Sequence, residues 1–332
     1  MSETIYCLGI ESTAHTIGIG ICDSEYNLLA NEFERYKPPQ GEGIVPWKAA
    51  SFMASNANSV LNRALEKAGL SLEDIDIISF SQGPGIGNCL KISSAIARKL
   101  AIYYDKVLIP VNHAHAHIEA GRITLNVEDP LILYVSGANS QIVIPIKKNN
   151  RERFHVLGET VDIGIGNLFD SLAREMKIYP AHGKEVEKLS EKGKFFYLPY
   201  TVIGMNMAFS GLFTSALREF KEKGRSVKDV CKSVMHTAFA MTVEATERAL
   251  ALTKKEDLLL CGGVALNRQL REMLKLMCDD HKVNFYVPDD SLNADQGAMI
   301  ALTGMKLFKR NFKVEFEKSI PLPDQRLDSI SF

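Results

Sequence analysis

The chain reads as one structural plan written twice, and no other feature restricts its folding so strongly. Set side by side, the segments starting at Thr4 and Leu131 each open with two β-prone runs joined by a short turn of small residues. The first reads TIYCLGI, ESTAHT, IGIGICD; the second reads LILYVSG, ANS, QIVIPIK. Such turns between β-branched runs mark hairpins whose turn is free to clasp a ligand. A third run follows in each copy, NLLANEFERY and RFHVLGET. Later, a strand meets a glycine-rich corner and then an amphipathic helix: DIISFSQ, GPGIG, NCLKISSAIARKLAIYY in one copy, and DLLLC, GG, VALNRQLREMLKLMC in the other. Long helical patterns over 49–68 and 227–253 precede these strands, with apolar residues at i, i+3, i+4 and i+7 and no internal Pro or Gly.

The order βββαβαβα, twice over, predicts an α/β protein with two similar mixed sheets flanked by helices and a nucleotide cleft between lobes. That is the duplicated actin, Hsp70 and sugar-kinase (ASKHA) architecture. The expected lobes are 1–125 and 126–332. The second carries an insertion at about 162–225, with helical stretches GNLFDSLAREMKI and GKEVEKLSEKG and an apolar loop, FFYLPYTVIGMNMAFSGL. The last stretch, SIPLPDQRLDSISF, is expected to be irregular and packed back on the body.

Composition narrows the function classes. The 332 residues are 46% hydrophobic and 24% charged, which suits about two globular domains. No apolar run approaches the ~18 residues of a membrane span, and the first residues lack a secretory layout, so a cytoplasmic protein with no membrane partner is expected. The six cysteines have no C-x-x-C spacing and sit mostly in apolar runs, which predicts reduced, structural thiols. With 39 Lys+Arg against 40 Asp+Glu, the net charge of -1 gives no overall field for nucleic acid. RNA would have to be held by local patches, such as Arg218 to Arg225 or Lys306 to Lys313, or by other subunits.

The segment NHAHAHIEAG places three histidines at an expected helix start directly after the strand VLIPV. At ~100° per residue, His113 and His117 share a face and His115 points away. Spacing alone fits either a metal pair or a helix end stabilised by cationic or hydrogen-bonded imidazoles. Asp295, at the start of the last long helix, occupies the corresponding place in the second copy. It either completes a metal site across the cleft or serves as an N-cap. The turns ESTAHT and SGANSQ and the corners GPGIG and CGGV offer backbone amides, and four of them in matching places favour a bound nucleotide.

These residues resemble the tRNA N6-adenosine threonylcarbamoyltransferase (TsaD) family over about 8–328, nearly the whole chain. The motifs are GIESTAHT, YKPP with GIVP, FSQGPGIG, VNHAHAHIE, LYVSGANSQ, LGETVDIGIGN with LFD, AFSGL, GGVALNRQLREML and DQGAMIA. The versions with ESTAHT, YKPP and LYVSG are similar to the archaeal and eukaryotic branch, the catalytic subunit of the KEOPS complex. The resemblance implies a metal held by His113, His117, Tyr134 and Asp295, with iron favoured by this hard donor set and zinc the alternative. It implies an adenylate held by Tyr134, Val135, Ser136, Gly137 and Ala138, by Asp170, by Gly183 and Glu187, and by Asn267.

The implied reaction moves the threonylcarbamoyl group from threonylcarbamoyl-AMP to N6 of adenosine 37, next to the anticodon, in tRNAs that read codons starting with A. An aromatic amine is a weak nucleophile, and Glu11 at the end of the first strand is the candidate base. The implied partners are tRNA, threonylcarbamoyl-AMP, AMP or ATP, and the KEOPS subunits: a kinase-like ATPase, a dimerising subunit and a further small subunit. Four positions depart from the family pattern: Met53 where a histidine is usual, Ala138 in place of the second glycine of SGG, Ala181-His182-Gly183-Lys184 in place of PGGP, and Asn206 in place of an aspartate before AFSGL. They motivate an alternative, a catalytically weakened nucleotide-binding scaffold of the same complex. A metalloprotease would need a glutamate beside the histidine pair, which H-E-x-x-H would supply and this chain lacks. A sugar kinase is left to phosphoryl-transfer assays.

Overall fold

A computed structural model describes residues 4–39, 43–148 and 151–330, so the terminal Ser331 and Phe332 of the expected tail lie outside it. The first copy runs β1 (Tyr6–Glu11), β2 (Thr16–Asp23), β3 (Leu28–Arg35), α1 (Pro46–Ala68), β4 (Ile77–Gly83), α2 (Gly87–Tyr103), β5 (Val107–Asn112) and α3 (His113–Leu125). The second opens with β6 (Leu131–Val135), β7 (Ser140–Lys148) and β8 (Arg151–Glu159). An insertion follows, made of α4 (Ile165–Glu175), α5 (Gly183–Ser190), a ribbon of β9 (Val202–Ile203) and β10 (Asn206–Met207), and α6 (Ser210–Lys221). The copy closes with α7 (Val227–Thr253), β11 (Asp257–Cys261), α8 (Arg268–His281), β12 (Asn284–Tyr286), α9 (Asp290–Asn293) and α10 (Gly297–Lys309).

The duplication is present in the sheets. One has the order β3-β2-β1-β4-β5 and the other β12-β11-β6-β7-β8, which is the same order read from the opposite edge. In each, the first strand pairs antiparallel with its hairpin partner and parallel with the strand that follows the long helix. Two elements escaped the sequence reading. The apolar loop of the insertion contains the β9–β10 ribbon, and AFSGL runs into α6. Two-residue strands carry too little periodicity to be recognised.

The chain divides into two compact units that do not follow the expected partition at residue 125. One comprises 1–126, 147–153 and 289–332; the other comprises 127–146 and 154–288. The last helix therefore belongs with the first sheet, and the reason lies in the period-2 pattern of β1 and β2. Leu8, Ile10, Ile17, Ile19 and Ile21 face α1 and α2, where they form a core with Met53, Val60 and Leu61. The alternate residues Cys7 and Cys22 face the other way, into a core with Ala116 and Ala120 of α3 and Met299 to Leu302 of α10. Between them stand glycines: a Cβ at Gly9 would lie 2.2 Å from the Ala301 nitrogen. Bare strand backbone thus lets α10 settle directly on the sheet.

The tail is held to the same unit, as expected: Gln82 Nε2 donates to the carbonyls of Lys318 and Ile320, and Arg98 donates to the Phe316 carbonyl. The second unit packs α4 to α8 around one apolar core that includes Leu131, Phe169, Phe209, Phe239 and Leu260. All six cysteines are buried and free. Among the described residues no helix is long and apolar enough to cross a membrane.

Candidate metal centre and adenylate-binding residues

Helix α3 begins where β5 ends, and Asn112 caps it by accepting from the amide of His115 at 3.0 Å. This cap fixes the phase of the helix, so His113 and His117 stack on one side with ring centroids 4.8 Å apart and planes at 90°. The Nε2 atoms of His113 and His117 lie 3.5 Å and 3.3 Å from Oδ1 of Asp295. The three side chains offer ligand atoms that all lie within 4.8 Å of one another. Both imidazoles are buried, whereas the Asp295 side chain is 24% exposed and gives the group its open side.

The N-cap question raised by Asp295 is settled by its neighbour. Gln296 Oε1 accepts from the amides of Ala298 at 2.7 Å and Met299 at 3.3 Å, so Gln296 caps α10 and the Asp295 carboxylate is turned to the histidines. Burial by itself would raise the Asp295 carboxyl, but the two imidazoles outweigh it and hold it well below the usual carboxylate range. Burial likewise opposes protonation of His113, yet the Glu11 and Asp295 carboxylates raise it well above its ordinary value. For His117 burial prevails and the value is lowered. A set of this kind, two imidazole nitrogens and a carboxylate oxygen within 4.8 Å of one another, suits a divalent transition-metal ion.

Glu11 takes part in a way the sequence did not reveal. It falls on the α3 and α10 face of β1 by the same alternation that places Cys7 and Gly9 there. It is fully buried: Oε1 accepts from the Thr13 amide at 2.6 Å and from the Thr13 hydroxyl, and Oε2 lies 3.1 Å from Nδ1 of His113. A carboxylate on Nδ1 fixes the ring and leaves Nε2 directed to the metal position. His115 stands apart, as its spacing predicted, with Nε2 3.4 Å from Glu119.

Behind the histidines lies an ion cluster with no sequence signature, because its members come from distant segments. Glu119 is paired with Arg122 and Lys306, and Glu152 with Arg122 at 2.8 Å and Arg310 at 2.5 Å. This spends much of the basic stretch Lys306 to Lys313 internally. The other stretch is also occupied, Lys221 by Glu175 and Lys223 and Arg225 by Glu219.

The remaining candidates lie in the second unit. Tyr134 is buried near the end of β6, paired with Cys261 and Gln141, with its ring beside Gly262. Val135 follows it in the strand, and Ser136, Gly137 and Ala138 form the turn, where Ser136 Oγ donates to the Asn139 carbonyl at 2.8 Å. The start of α4 sits on this turn, and the amides of Gly166 and Asn167 donate to the carbonyls of Ser136 and Gly137. Asp170 Oδ1 accepts from the Gly183 amide at 2.8 Å, Glu187 Oε1 accepts from the Arg268 amide at 3.0 Å, and Asn267 caps α8 by accepting from Leu270 at 3.1 Å. The acidic pair and Asn267 therefore gather around the first turns of α5 and α8.

The four departures are each absorbed locally. Met53 is fully buried in an apolar core where a histidine would need a polar partner. The Ala138 methyl is on an exposed turn. His182 caps α5 through Nδ1, which accepts from Lys184, and Asn206 Oδ1 accepts from the Glu159 amide at 3.0 Å.

Comparison with known proteins agrees with this geometry. The family model described as "TsaD: tRNA N6-adenosine threonylcarbamoyltransferase" matches residues 27–302. The protein of that name from Thermococcus kodakarensis is 45% identical over 324 residues, which is 97% of this chain and 98% of its own. The Archaeoglobus fulgidus protein of the same name is 45% identical over the same shares. Among solved structures, full-length HypF in its phosphate- and nucleotide-bound form superposes with a TM-score of 0.63 at 13% identity, over 94% of this chain and 57% of that one. The last likeness concerns the fold alone, and that fold is the duplicated ASKHA architecture.

Proposed function

The chain belongs to the TsaD family of tRNA N6-adenosine threonylcarbamoyltransferases, and on that premise we propose that it moves the threonylcarbamoyl group from threonylcarbamoyl-AMP to N6 of adenosine 37 in tRNAs reading codons that start with A. In this reaction N6 bonds to the carbamoyl carbon, the carbon–oxygen bond to phosphate breaks, AMP leaves with the electron pair, and N6 gives up a proton. The observation that carries the reading is the convergence of His113, His117 and Asp295, with Gln296 relieving Asp295 of the capping role.

In this reading His113, His117 and Asp295 hold the metal, with Tyr134 as a fourth donor that favours iron over zinc. An ion bound there supplies a Lewis acid and a template for the anhydride oxygens. The rest is work for side chains. Tyr134 to Ala138, with Asp170, Gly183, Glu187 and Asn267, receive the AMP portion, a reading supported by the gathering of Asp170, Gly183, Glu187 and Asn267 around the first turns of α5 and α8. Glu11, with both oxygens engaged by Thr13 and His113, enters as a positioning residue. The KEOPS subunits and a cytoplasmic setting belong to the same proposal.

The test is nucleoside analysis by mass spectrometry after incubating the purified protein and its partner subunits with threonylcarbamoyl-AMP and unmodified tRNA. Threonylcarbamoyladenosine is expected at position 37. AMP or ATP binding without modified nucleoside would replace the transferase by the scaffold reading.

A further inference from the structure

Between α5 and the β9–β10 ribbon the chain forms an extended strap, 193–201, laid along the first turns of α7. Two bonds pin its backbone: the Lys194 amide donates to Asp229 Oδ1 at 2.7 Å and the Phe196 amide donates to Ser233 Oγ at 2.9 Å. In an extended chain alternate side chains point to opposite sides. Phe196 turns toward the apolar core, with the Arg225 guanidinium 4.6 Å above its ring. Phe195 and Tyr197 are 43% and 92% exposed, with ring centroids 5.3 Å apart at 79°. The His236 ring also stands against Phe195, at 5.1 Å and 75°. Three rings thus cluster at the surface, among them a tyrosine almost wholly in water.

Cations border the cluster. A Cβ on Gly193 would meet the Lys228 carbonyl and the Lys232 Cβ, so both lysines lie beside the strap, and Lys194 belongs to it. Among the described residues, Lys194, Lys228 and Lys232 make no ion pair, in contrast to Lys221 of α6 and Lys306 of α10. The acid facing this edge, Asp229, accepts from the strap amide through Oδ1, and its carboxyl is lowered by that bond, by Ser226 and by the charges of Lys194 and Arg225 nearby. Burial, with Lys232 nearby, lowers His236 from its ordinary value, so its ring stays neutral near pH 7.

Exposed rings interleaved with unspent lysines are the equipment that recognises single-stranded nucleic acid, where bases stack on aromatic faces and cations follow phosphates. We propose that the Phe195–Tyr197 pair, with Lys194, Lys228 and Lys232, is a docking surface for unpaired nucleotides of the tRNA substrate. The inference rests on the transferase reading for its choice of RNA. It assigns the base-stacking role to Tyr197 and phosphate contact to the lysines.

The experiment is a fluorescence-anisotropy titration of the full chain, alone and with its partner subunits, against unmodified tRNA reading an A-starting codon, at several salt concentrations. Tyr197→Ala is expected to weaken binding about 5- to 150-fold, the worth of one stacked base, while Tyr197→Phe restores it. Lys228→Glu with Lys232→Glu is expected to weaken binding and lower the log–log salt slope by about 1.4. AMP affinity should be unchanged in every variant. Wild-type affinity in Tyr197→Ala overturns the proposal, as does loss of a protein subunit with RNA binding intact. Those results leave the transferase reading standing, whereas a wild-type protein that neither binds nor modifies the tRNA removes both.

Discussion

Gly20 of β2 and Ala298 of α10, 278 positions apart in the chain, approach so closely that a Cβ on Gly20 would stand 2.2 Å from the Ala298 nitrogen. The contact seats the helix that follows Asp295. A Gly20→Ala variant is expected to lose about 1–3 kcal/mol of stability, because backbone rather than a flexible side chain would have to move. Urea unfolding measures that loss, and a metal titration of the same variant should show weaker binding if α10 shifts.

Removal of the ion or a ligand should act on metal content first. His117→Ala and Asp295→Ala are each expected to abolish stoichiometric metal binding and transfer, since each removes one of the three donors that converge in the structure. Chelator treatment of the wild type should inactivate it, with recovery on adding back the native metal. Elemental analysis beside the nucleoside assay checks both.

Glu11 holds Nδ1 of His113 at 3.1 Å. Glu11→Gln keeps the volume and loses the charge, and metal affinity should fall about 10- to 100-fold. Competition with a calibrated chelator reads this directly. Unchanged affinity together with lost transfer would restore Glu11 to the role of base.

Glu152 is buried, and although burial raises its carboxyl, its contacts with Arg122 and Arg310 outweigh that and lower it. Its folded value lies below the unfolded one of about 4.3. Its contribution is therefore complete above that pH and is lost as pH falls through the folded value. Glu152→Gln should cost about 1–3 kcal/mol at pH 7, since Arg122 keeps Glu119 but loses one of its two charge-assisted bonds. The difference between variant and wild type should shrink in acid-unfolding curves below about pH 4.

Burial pushes the Cys89 and Cys278 thiols up to about 11 and Cys231 to about 12. A thiol reagent at pH 8 should leave these three unlabelled in the native protein and label them after denaturation.

Much of the architecture was legible because periodicity is local. The spacing of Val227 to Thr253 matches α7 to the residue, and the two hairpins stand where alternation placed them. The pairing of His113 with His117 was readable for the same reason, since one helical turn sets it. The roles of Gln296 and Glu11 were not, because adjacent residues compete for a cap and the winner depends on what each carboxylate or amide faces. Arg122 and Glu152 are likewise 30 positions apart, with nothing in their neighbourhoods to announce the bond.

The sequence by itself determined the duplicated strand and helix order, the imidazole pair and the family motifs, all of which depend on residues a few positions apart. Only the tertiary structure decided that the last helix packs on the first sheet, that Asp295 meets both imidazoles, and that Glu11 holds one of them. Those relations follow from bare glycine backbone admitting a helix from the far end of the chain, and close approach in space leaves no periodic trace in sequence.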